Sequence, residues 1–190
     1  MRTLISTSFV SLDGKLDPIG GDPGLRDTQW TFKTVDFLPE AYELKGREQE
    51  EAGALLLGRK SYQLFAPVWP GMAEFARYKN LPKYVVSTTL AGDDLVEDWG
   101  ETTVLRSLEE VASLKETDGD PLLVHGSATL NRALQEAGLI DRYHLLVFPV
   151  LLGAGKSLFS DADIAAQRLR LLEHQVYANG IQMQVLDVLR

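Results

Sequence analysis

Short apolar runs recur along this chain, and stretches of helical composition separate them. Several runs are apolar on both faces instead of alternating, which is typical of parallel strands that are covered on both sides. We predict strands at these positions: Thr3–Val10, Ala54–Leu57, Tyr84–Ser87, Thr103–Leu105, Leu122–Val124 and Tyr143–Leu151. Strands that alternate with helices predict an α/β fold, with a mostly parallel central sheet and helices on both faces.

Three segments between the strands have helical signals. Asp36–Glu51 is rich in Glu, Ala, Leu, Lys and Gln. Ser107–Lys115 opens with serine and glutamate at the spacing of a capping box. Ser127–Ala137 begins with a serine that is a candidate N-cap, and Gly138 follows it where a helix usually ends. We therefore predict helices at all three.

The end of the chain has a different pattern. Arg168–Ala178 and Ile181–Val188 flank Asn179-Gly180, a dipeptide favoured where both central turn residues have positive φ. The second segment alternates apolar residues with glutamine, so one face should pack on the body of the sheet. This predicts a C-terminal antiparallel β-hairpin. The Gly- and Pro-rich stretch Pro18–Gly24 is predicted to be a loop, and we expect a single domain over residues 1–190.

Composition excludes several classes of function. A net charge of −8 opposes broad binding to nucleic acid. The absence of cysteine excludes disulfides, thiolate zinc sites, iron–sulfur clusters and a cysteine nucleophile, and the histidines lack metal-ligand spacing, so no metal is expected. No apolar run approaches the ~20 residues that span a bilayer, and the first residues lack a signal region. We expect a cytoplasmic protein that does not bind a membrane.

Polar segments directly follow four of the predicted strands. They are Ser11–Lys15, Leu57–Tyr62, Val86–Thr89 and Val124–Thr129. Because the carboxyl ends of parallel strands meet at one edge of a sheet, these segments should lie side by side. Adjacent cations at a helix start, and a strand that runs through glycine into a helix, both suit a phosphate. Each segment alone also fits an ordinary turn, a solvated Arg-Lys pair or a helix cap.

Six motifs then occur in order along the chain: Ser-Leu-Asp-Gly, Leu-Leu-Leu-Gly-Arg-Lys-Ser-Tyr, Pro-Lys-Tyr-Val-Val-Ser-Thr-Thr, Leu-Leu-Val-His-Gly-Ser-Ala-Thr-Leu, Gly-Leu-Ile-Asp-Arg and Pro-Val-Leu-Leu-Gly-Ala-Gly. In this set the chain resembles the dihydrofolate-reductase-like superfamily, and most of all the branch of the RibD C-terminal domain, the reductase domain of bacterial riboflavin biosynthesis. The resemblance runs from about Leu4 to Phe159. It implies a three-layer fold and an NADPH-dependent reductase that transfers a hydride to a small planar heterocycle. That substrate would be a pyrimidine, as for a 5-amino-6-(5-phosphoribosylamino)uracil reductase, or a pterin, as for a dihydrofolate reductase.

The resemblance also implies which residues hold NADPH. The loop for its adenosine side would consist of Gly58, Arg59, Lys60 and Ser61. Within it, Arg59 and Lys60 are placed for the 2′-phosphate, with Ser87 and Thr88 as hydroxyl partners. The turn and helix start against the pyrophosphate would be His125, Gly126, Ser127, Ala128 and Thr129. Gly14 lies with Asp13 in the loop that closes over the nicotinamide in this family.

The substrate side is defined by fewer residues. Asp13 is the candidate catalytic acid and a candidate substrate contact, and to act near neutral pH it needs a pKa raised by burial. Trp30 and Phe32 would either stack on the heterocycle or pack as buried aromatics against the first helix. Asp36 and Glu40 lie in the region where dihydrofolate reductases carry the carboxylate that binds the pterin.

Assembly and alternative functions complete the expectations. Tyr143–Leu151 is almost entirely apolar, and the Gly153–Phe159 loop after it resembles the segment through which riboflavin-type reductases pair, so we expect a homodimer in which Leu172 and Leu186 are covered. The alternative is a monomer in which Tyr143–Leu151 is simply a central strand of the sheet. Two other functions remain open at this stage. One is a non-catalytic protein that binds NADPH or another nucleotide on the same fold, and the other is an unrelated phosphate-binding or phosphosugar enzyme that uses the same strand ends.

Overall fold

The computed structural model describes residues 1–17 and 29–190, so the predicted loop Pro18–Gly24 lies outside the described residues. Its eight-stranded sheet consists of β1 (Leu4–Ser11), β2 (Ala54–Gly58), β3 (Lys83–Val86), β4 (Thr102–Leu105), β5 (Leu122–His125), β6 (Arg142–Phe148), β7 (Arg168–Val176) and β8 (Gln182–Leu189). The order across the sheet is β4-β3-β2-β5-β1-β6-β8-β7. Strands from β4 to β6 pair in parallel, whereas β8 pairs antiparallel with β6 and β7. The predicted mixed sheet with a terminal hairpin is confirmed.

Helices cover both faces of the sheet. They are α1 (Glu43–Glu51), α2 (Arg59–Phe65), α3 (Leu108–Glu116) and α4 (Ala128–Glu136), with 3-10 turns at Trp30–Phe32, Pro39–Tyr42, Trp69–Gly71, Ala73–Asn80 and Gly92–Asp94. α3 and α4 contribute Val111 and Leu134 to the core on one face, while α1 and α2 contribute Leu44 and Tyr62 to cores on the other. No helix within residues 1–17 and 29–190 combines the length and apolar composition needed to cross a membrane.

Proline shifts two of the predicted boundaries. The helix predicted over Asp36–Glu51 begins only at Glu43, because Pro39 opens a 3-10 turn before it. The strand predicted to extend to Leu151 ends at Phe148, since Pro149 has no N–H to continue the ladder. The capping serine predicted for α3 is confirmed, because the Ser107 hydroxyl accepts a bond from the amide of Glu110.

The C-terminal hairpin is present, but its turn differs from the predicted one. Of the two central residues only Gly180 has a positive φ, of 85°. The turn is wider than a two-residue loop, since the amide of Tyr177 donates to the carbonyl of Ile181 and that of Gly180 to Tyr177, each at 2.9 Å. Asn179 instead directs its side-chain amide to the carbonyl of Asp36, at 2.9 Å. Asn179 therefore ties the turn to the segment before α1.

Polar residues interrupt the apolar face that α1 and α2 cover. One core cluster there contains Ile5 and Leu123, and a second contains Leu146. Each of these three apolar residues has a polar residue two positions along its own strand. These polar residues, His125 on β5, Thr7 on β1 and His144 on β6, are direct neighbours across the sheet. Parallel strands in register point such neighbours to the same face. The centre of the sheet thus presents a row of three polar side chains toward α1.

Candidate functional site

The structure brings the predicted polar segments to one edge of the sheet. They follow β3, β2, β5 and β1, which are adjacent parallel strands. The hydroxyl of Ser127, after β5, accepts a bond from the amide of Gly58 at 3.0 Å and lies 2.6 Å from the hydroxyl of Ser61. The junctions β2–α2 and β5–α4 are therefore joined directly.

The turn between β5 and α4 leaves the start of that helix uncapped. Gly126 and Ser127 both have positive φ, 65° and 62°. An N-cap residue needs extended backbone, and the Ser127 side chain makes no capping hydrogen bond, so the prediction that Ser127 caps α4 is wrong. The first amides of α4, at Ala128 and Thr129, are left for an anion. Buried Asn131, which the sequence analysis missed, donates to the carbonyls of Gly126 and Ser127 and holds the turn.

Three cations follow strands at this edge: Arg59 and Lys60 begin α2 directly after β2, and Arg106 directly follows β4. Arg59 donates to the hydroxyl of Thr89 at 2.6 Å, Arg106 donates to the carbonyl of Ser87 at 2.8 Å, and Lys60 is exposed. Within residues 1–17 and 29–190, none of the three cations pairs with a carboxylate. In a chain of net charge −8, such a group favours an anionic ligand.

Two residues at this edge of the sheet differ from the predicted assignment. The hydroxyl of Ser87 accepts bonds from the amides of Thr89 and Leu90, at 3.2 and 3.0 Å, so it mainly shapes the turn. Thr88 is exposed. Arg106 was not predicted, although it directly follows β4 and the same strand-end argument would have identified it.

Asp13 does not fit the role of a catalytic acid. Its carboxylate accepts bonds from the Ser11 hydroxyl at 2.6 Å and from the amides of Leu152 and Gly153 at 3.2 and 2.7 Å. The bond from Ser11, opposed by slight burial and assisted by the backbone amides, lowers the pKa of Asp13 to about 2. The predicted acid role required a raised pKa. Asp13 instead clamps the loop after β1, where Gly14 has a φ of 77°, to the loop after β6.

We expect Asp13→Ala to lower the free energy of unfolding at pH 7 by about 1–2 kcal/mol, because it removes charge-assisted hydrogen bonds. The folded pKa is below the ordinary 3.8, so this stabilisation is present above that value and is lost as the pH falls through about 2. Urea unfolding from pH 7 downward measures it, with exposed Asp161→Ala as the control. Equal effects of the two substitutions would contradict the clamp.

The two predicted stacking residues behave differently. Trp30 is only 1% exposed and packs edge-on against Phe148 with ring centroids 5.3 Å apart, so it cannot stack on a substrate and that assignment is wrong. Phe32 is 70% exposed and lines an open groove with Phe37 and Pro149. Its contact with substrate stays a prediction.

Neither candidate carboxylate before α1 is buried. Asp36 and Glu40 are both exposed to solvent. The buried acid of this region is Glu48, on α1 itself, with a fully covered side chain. The region therefore has a buried carboxylate, but at a position that the sequence analysis did not identify.

Glu48 lies at the centre of a buried ionic cluster. Its Oε1 accepts bonds from the Thr7 hydroxyl at 2.7 Å and the Lys45 ammonium at 3.2 Å, and lies 3.0 Å from Nδ1 of His144. Lys45 also donates to the Thr7 hydroxyl, and its Nζ lies 5.2 Å from the centre of the Phe9 ring. Nε2 of His144 is buried and has no hydrogen-bond partner among the described residues. We call Thr7, Lys45, Glu48 and His144 the α1 cluster.

Glu48 and Lys45 of the α1 cluster, and the neighbouring His125, have shifted pKa values. Burial by itself would raise the pKa of Glu48, but the charge of Lys45 and the bond to His144 outweigh it and lower that pKa to about 2. Burial lowers the pKa of Lys45, and Glu48 offsets this only in part. Burial, with the charge of Lys45, lowers the pKa of His125 to about 4, so this imidazole is neutral near pH 7.

Burying such an ionic cluster contributes little to stability, so its presence points to a function. Desolvation of a buried ion pair commonly exceeds its Coulomb attraction, and apolar replacements are often as stable. Perturbed ionisable groups beside a cleft are typical of functional sites. The aromatic rings of Phe65, Trp69 and Tyr78 surround His125 at centroid distances of 6.3, 5.0 and 6.0 Å. All three rings are buried, so the α1 cluster adjoins a packed aromatic part of the core. Polar residues within three apolar strands were the signal that could have revealed it.

Comparison with known proteins places this architecture in a family. The chain is 28% identical to the uncharacterized protein YyaP of Bacillus subtilis (strain 168) over 95% of its own length and 92% of that protein. A structure of a putative riboflavin biosynthesis protein from Shewanella sp. PV-4 aligns over 100% of both chains with a TM-score of 0.76 and 19% identity. Enterococcus faecalis dihydrofolate reductase, complexed with NADP(H) and RAB-propyl, aligns over 99% of this chain and 97% of its own, with a TM-score of 0.62 and 13% identity.

These structural matches confirm the predicted dihydrofolate-reductase-like fold. The model of the RibD C-terminal domain matches residues 2–183, which is nearly the whole chain. The chain belongs to the RibD C-terminal domain family of dihydrofolate-reductase-like proteins.

Proposed function

We propose that this protein is an NADPH-dependent reductase that transfers a hydride to a small planar heterocycle of the pyrimidine or pterin type. The observation that carries the proposal is a group of three cations, Arg59, Lys60 and Arg106, which follow parallel strands at their carboxyl edge and have no carboxylate partner in the described part of the chain. Family membership supports a reductase of the riboflavin-pathway type.

The residues at this edge fit NADPH in charge and in shape. Arg59, Lys60 and Arg106 would hold the 2′-phosphate, with the hydroxyls of Thr88 and Thr89 beside them. The uncapped first turn of α4 would receive the pyrophosphate, because the positive φ of Gly126 and Ser127 turns the chain sharply before it. NADPH would supply the hydride, while the protein orients both reactants and excludes water.

The heterocycle would lie beside the α1 cluster. Phe9, Tyr42 and Phe37 form an aromatic wall there, with centroid distances of 5.7 Å from Phe9 to Tyr42 and 5.2 Å from Phe37 to Tyr42. Aromatic faces and a few polar groups are what a flat, polar ring requires. Both substrate types meet this requirement, so the proposal covers pyrimidines and pterins alike.

Binding and oxidation of NADPH, measured separately, test this proposal. We expect saturable quenching of tryptophan fluorescence by NADPH, and oxidation of NADPH once a suitable acceptor is added. Binding without oxidation by any acceptor of the two types would indicate a non-catalytic NADPH-binding protein. Binding of phosphate esters but not of NADPH would instead indicate an unrelated phosphate-binding enzyme.

We further propose a homodimer formed through the exposed edge of β7. This strand has nine residues and ends the sheet, and Leu169, Leu171 and Val176 on one of its faces are exposed. Long apolar edge strands invite pairing with another chain. The two leucines named from sequence differ, because Leu172 is exposed whereas Leu186 is half-buried against the core. The cytoplasmic location and the single-domain organisation stay predictions.

Light scattering tests the dimer. We expect a mass of about twice 21.1 kDa at micromolar concentration, and conversion to monomers by Leu171→Arg, since a charge on this edge opposes pairing. Leu64→Arg is the control, because Leu64 is 42% exposed on α2 and Leu171 is 55% exposed on β7. A wild-type mass near 21.1 kDa throughout a dilution series would contradict the dimer.

A further inference from the structure

Reduction of a heterocycle at this site requires a proton as well as a hydride, and few groups beside it within residues 1–17 and 29–190 are able to give one. Asp13 is committed to the loop amides and has a pKa of about 2. The side chain of Glu48 is fully covered. His125 is neutral near pH 7, and burial raises the pKa values of Tyr42 and Tyr78, which makes both hydroxyls weaker acids.

Lys45 is the candidate that remains among these described groups, and its surroundings differ from those of the other members of the α1 cluster. Its side chain is 14% exposed, whereas those of Glu48 and His144 are 0% and 5% exposed. Of these three side chains, that of Lys45 is therefore the one most open to contact with a ligand from solvent. Bonds to Thr7 and Glu48 fix the ammonium group at the centre of the sheet, beside the Phe9 ring.

Lys45 is also next to the candidate cofactor turn. Its charge acts on His125, which is the register neighbour of Thr7 and directly precedes Gly126. Lys45 thus lies between the turn assigned to the pyrophosphate and the aromatic wall assigned to the substrate. A proton donor must lie between these two sites if it is to act on the bond that receives the hydride.

We propose that Lys45 is the proton donor of the reduction, and that Thr7, Glu48 and His144 are positioning residues that hold its ammonium group. This inference rests on the proposed function. The carbon of a substrate C=N bond accepts the hydride, with its two electrons, from the dihydronicotinamide, which is thereby oxidised. The nitrogen of the same bond accepts a proton from Nζ of Lys45. The bond becomes CH–NH, and the neutral amine of Lys45 regains a proton from solvent.

Burial of the Lys45 ammonium group favours the release of its proton. A buried ammonium gives up its proton more readily than an exposed one, because burial disfavours the charged form. Burial lowers the pKa of Lys45, and the charge of Glu48 and its hydrogen bond to Lys45 offset part of this lowering. The groups that face Lys45 are Glu48 on α1, Thr7 and Phe9 on β1, and His125 on β5.

The test compares Lys45→Met and Lys45→Arg with the wild type. NADPH oxidation is followed with 7,8-dihydrofolate and with 5-amino-6-(5-phosphoribosylamino)uracil as acceptors, and folding is checked by circular dichroism. We expect kcat to fall at least ~100-fold in both variants while the Kd for NADPH changes less than about twofold. Lys45→Arg keeps the charge and guards against misfolding, but its guanidinium does not release a proton. The alkaline decline of kcat in the wild type should be absent from Lys45→Met.

A second readout needs neither cofactor nor substrate. In the free chain with ¹³C-labelled lysine, the Lys45 signal, identified by its loss in Lys45→Arg, should titrate below the ordinary 10.5. Titration at or above that value would overturn the proposal. So would variants that retain kcat within about fivefold with the same alkaline decline, and this outcome would leave the proposed function intact. Wild-type protein that binds NADPH but reduces neither acceptor would overturn the reductase function, and the proton-donor role with it.

Discussion

Replacing Glu48 with alanine should lower the free energy of unfolding by about 3–5 kcal/mol at pH 7, because it leaves a buried lysine without its counter-charge. Loss of the carboxylate also removes the partner of the Thr7 hydroxyl and of His144. The folded pKa of Glu48, about 2, is below its ordinary 4.5, so its stabilisation is present above that value and is lost as the pH falls through about 2. Urea unfolding at pH 7 and at decreasing pH measures both effects.

The control for this prediction removes both charges together. Lys45→Met combined with Glu48→Leu should recover most of the lost stability, because apolar pairs of similar volume often replace buried ion pairs without cost. A loss of less than about 1 kcal/mol in Glu48→Ala would contradict the buried cluster, because it would mean that water reaches the carboxylate.

Removal of both arginines at the strand edge should weaken NADPH binding by about 100-fold, which corresponds to about 2.7 kcal/mol. Arg59→Ala with Arg106→Ala removes the guanidinium groups that lie against Thr89 and Ser87. NADH lacks the 2′-phosphate, so its affinity should change little. Fluorescence titration with each cofactor gives the two Kd values.

Lys79→Ala is the matched control for this pair. Lys79 is exposed and carries the same charge, but it precedes β3 and so lies toward the amino edge of the sheet. We expect it to leave both affinities unchanged. An equal loss of NADPH and NADH binding in the double arginine variant would contradict a 2′-phosphate site at these residues.

The fold could be predicted well from the sequence because its main signals are local. Apolar runs identify the strands, and the capping residues of Leu108–Glu116 and the Asn-Gly turn depend on neighbouring positions. The carboxyl ends of parallel strands share one edge of a sheet, and this rule also identified the edge that holds Gly58, Ser87 and Gly126. The boundary near Pro39 was missed because helical composition outweighed the proline, and the one near Pro149 because an apolar run outweighed the missing N–H of proline.

The α1 cluster was missed because its burial depends on distant parts of the chain. The sequence of α1, Glu-Leu-Lys-Gly-Arg-Glu-Gln-Glu-Glu, has the composition of a solvated helix. Lys45 and Glu48 become buried only because Thr7 and His144, far away in sequence, present polar groups opposite them. The burial of Trp30 and the bonds that the amides of Leu152 and Gly153 donate to Asp13 depend likewise on contacts across the fold, which no local pattern encodes.

A crystal structure of this protein grown with NADPH tests the central claim most directly. We expect density for the 2′-phosphate between Arg59 and Arg106, for the pyrophosphate against the first amides of Ala128–Glu136, and for the nicotinamide beside Lys45. Density at a different edge of the sheet, or none at a concentration that saturates binding in solution, would contradict it.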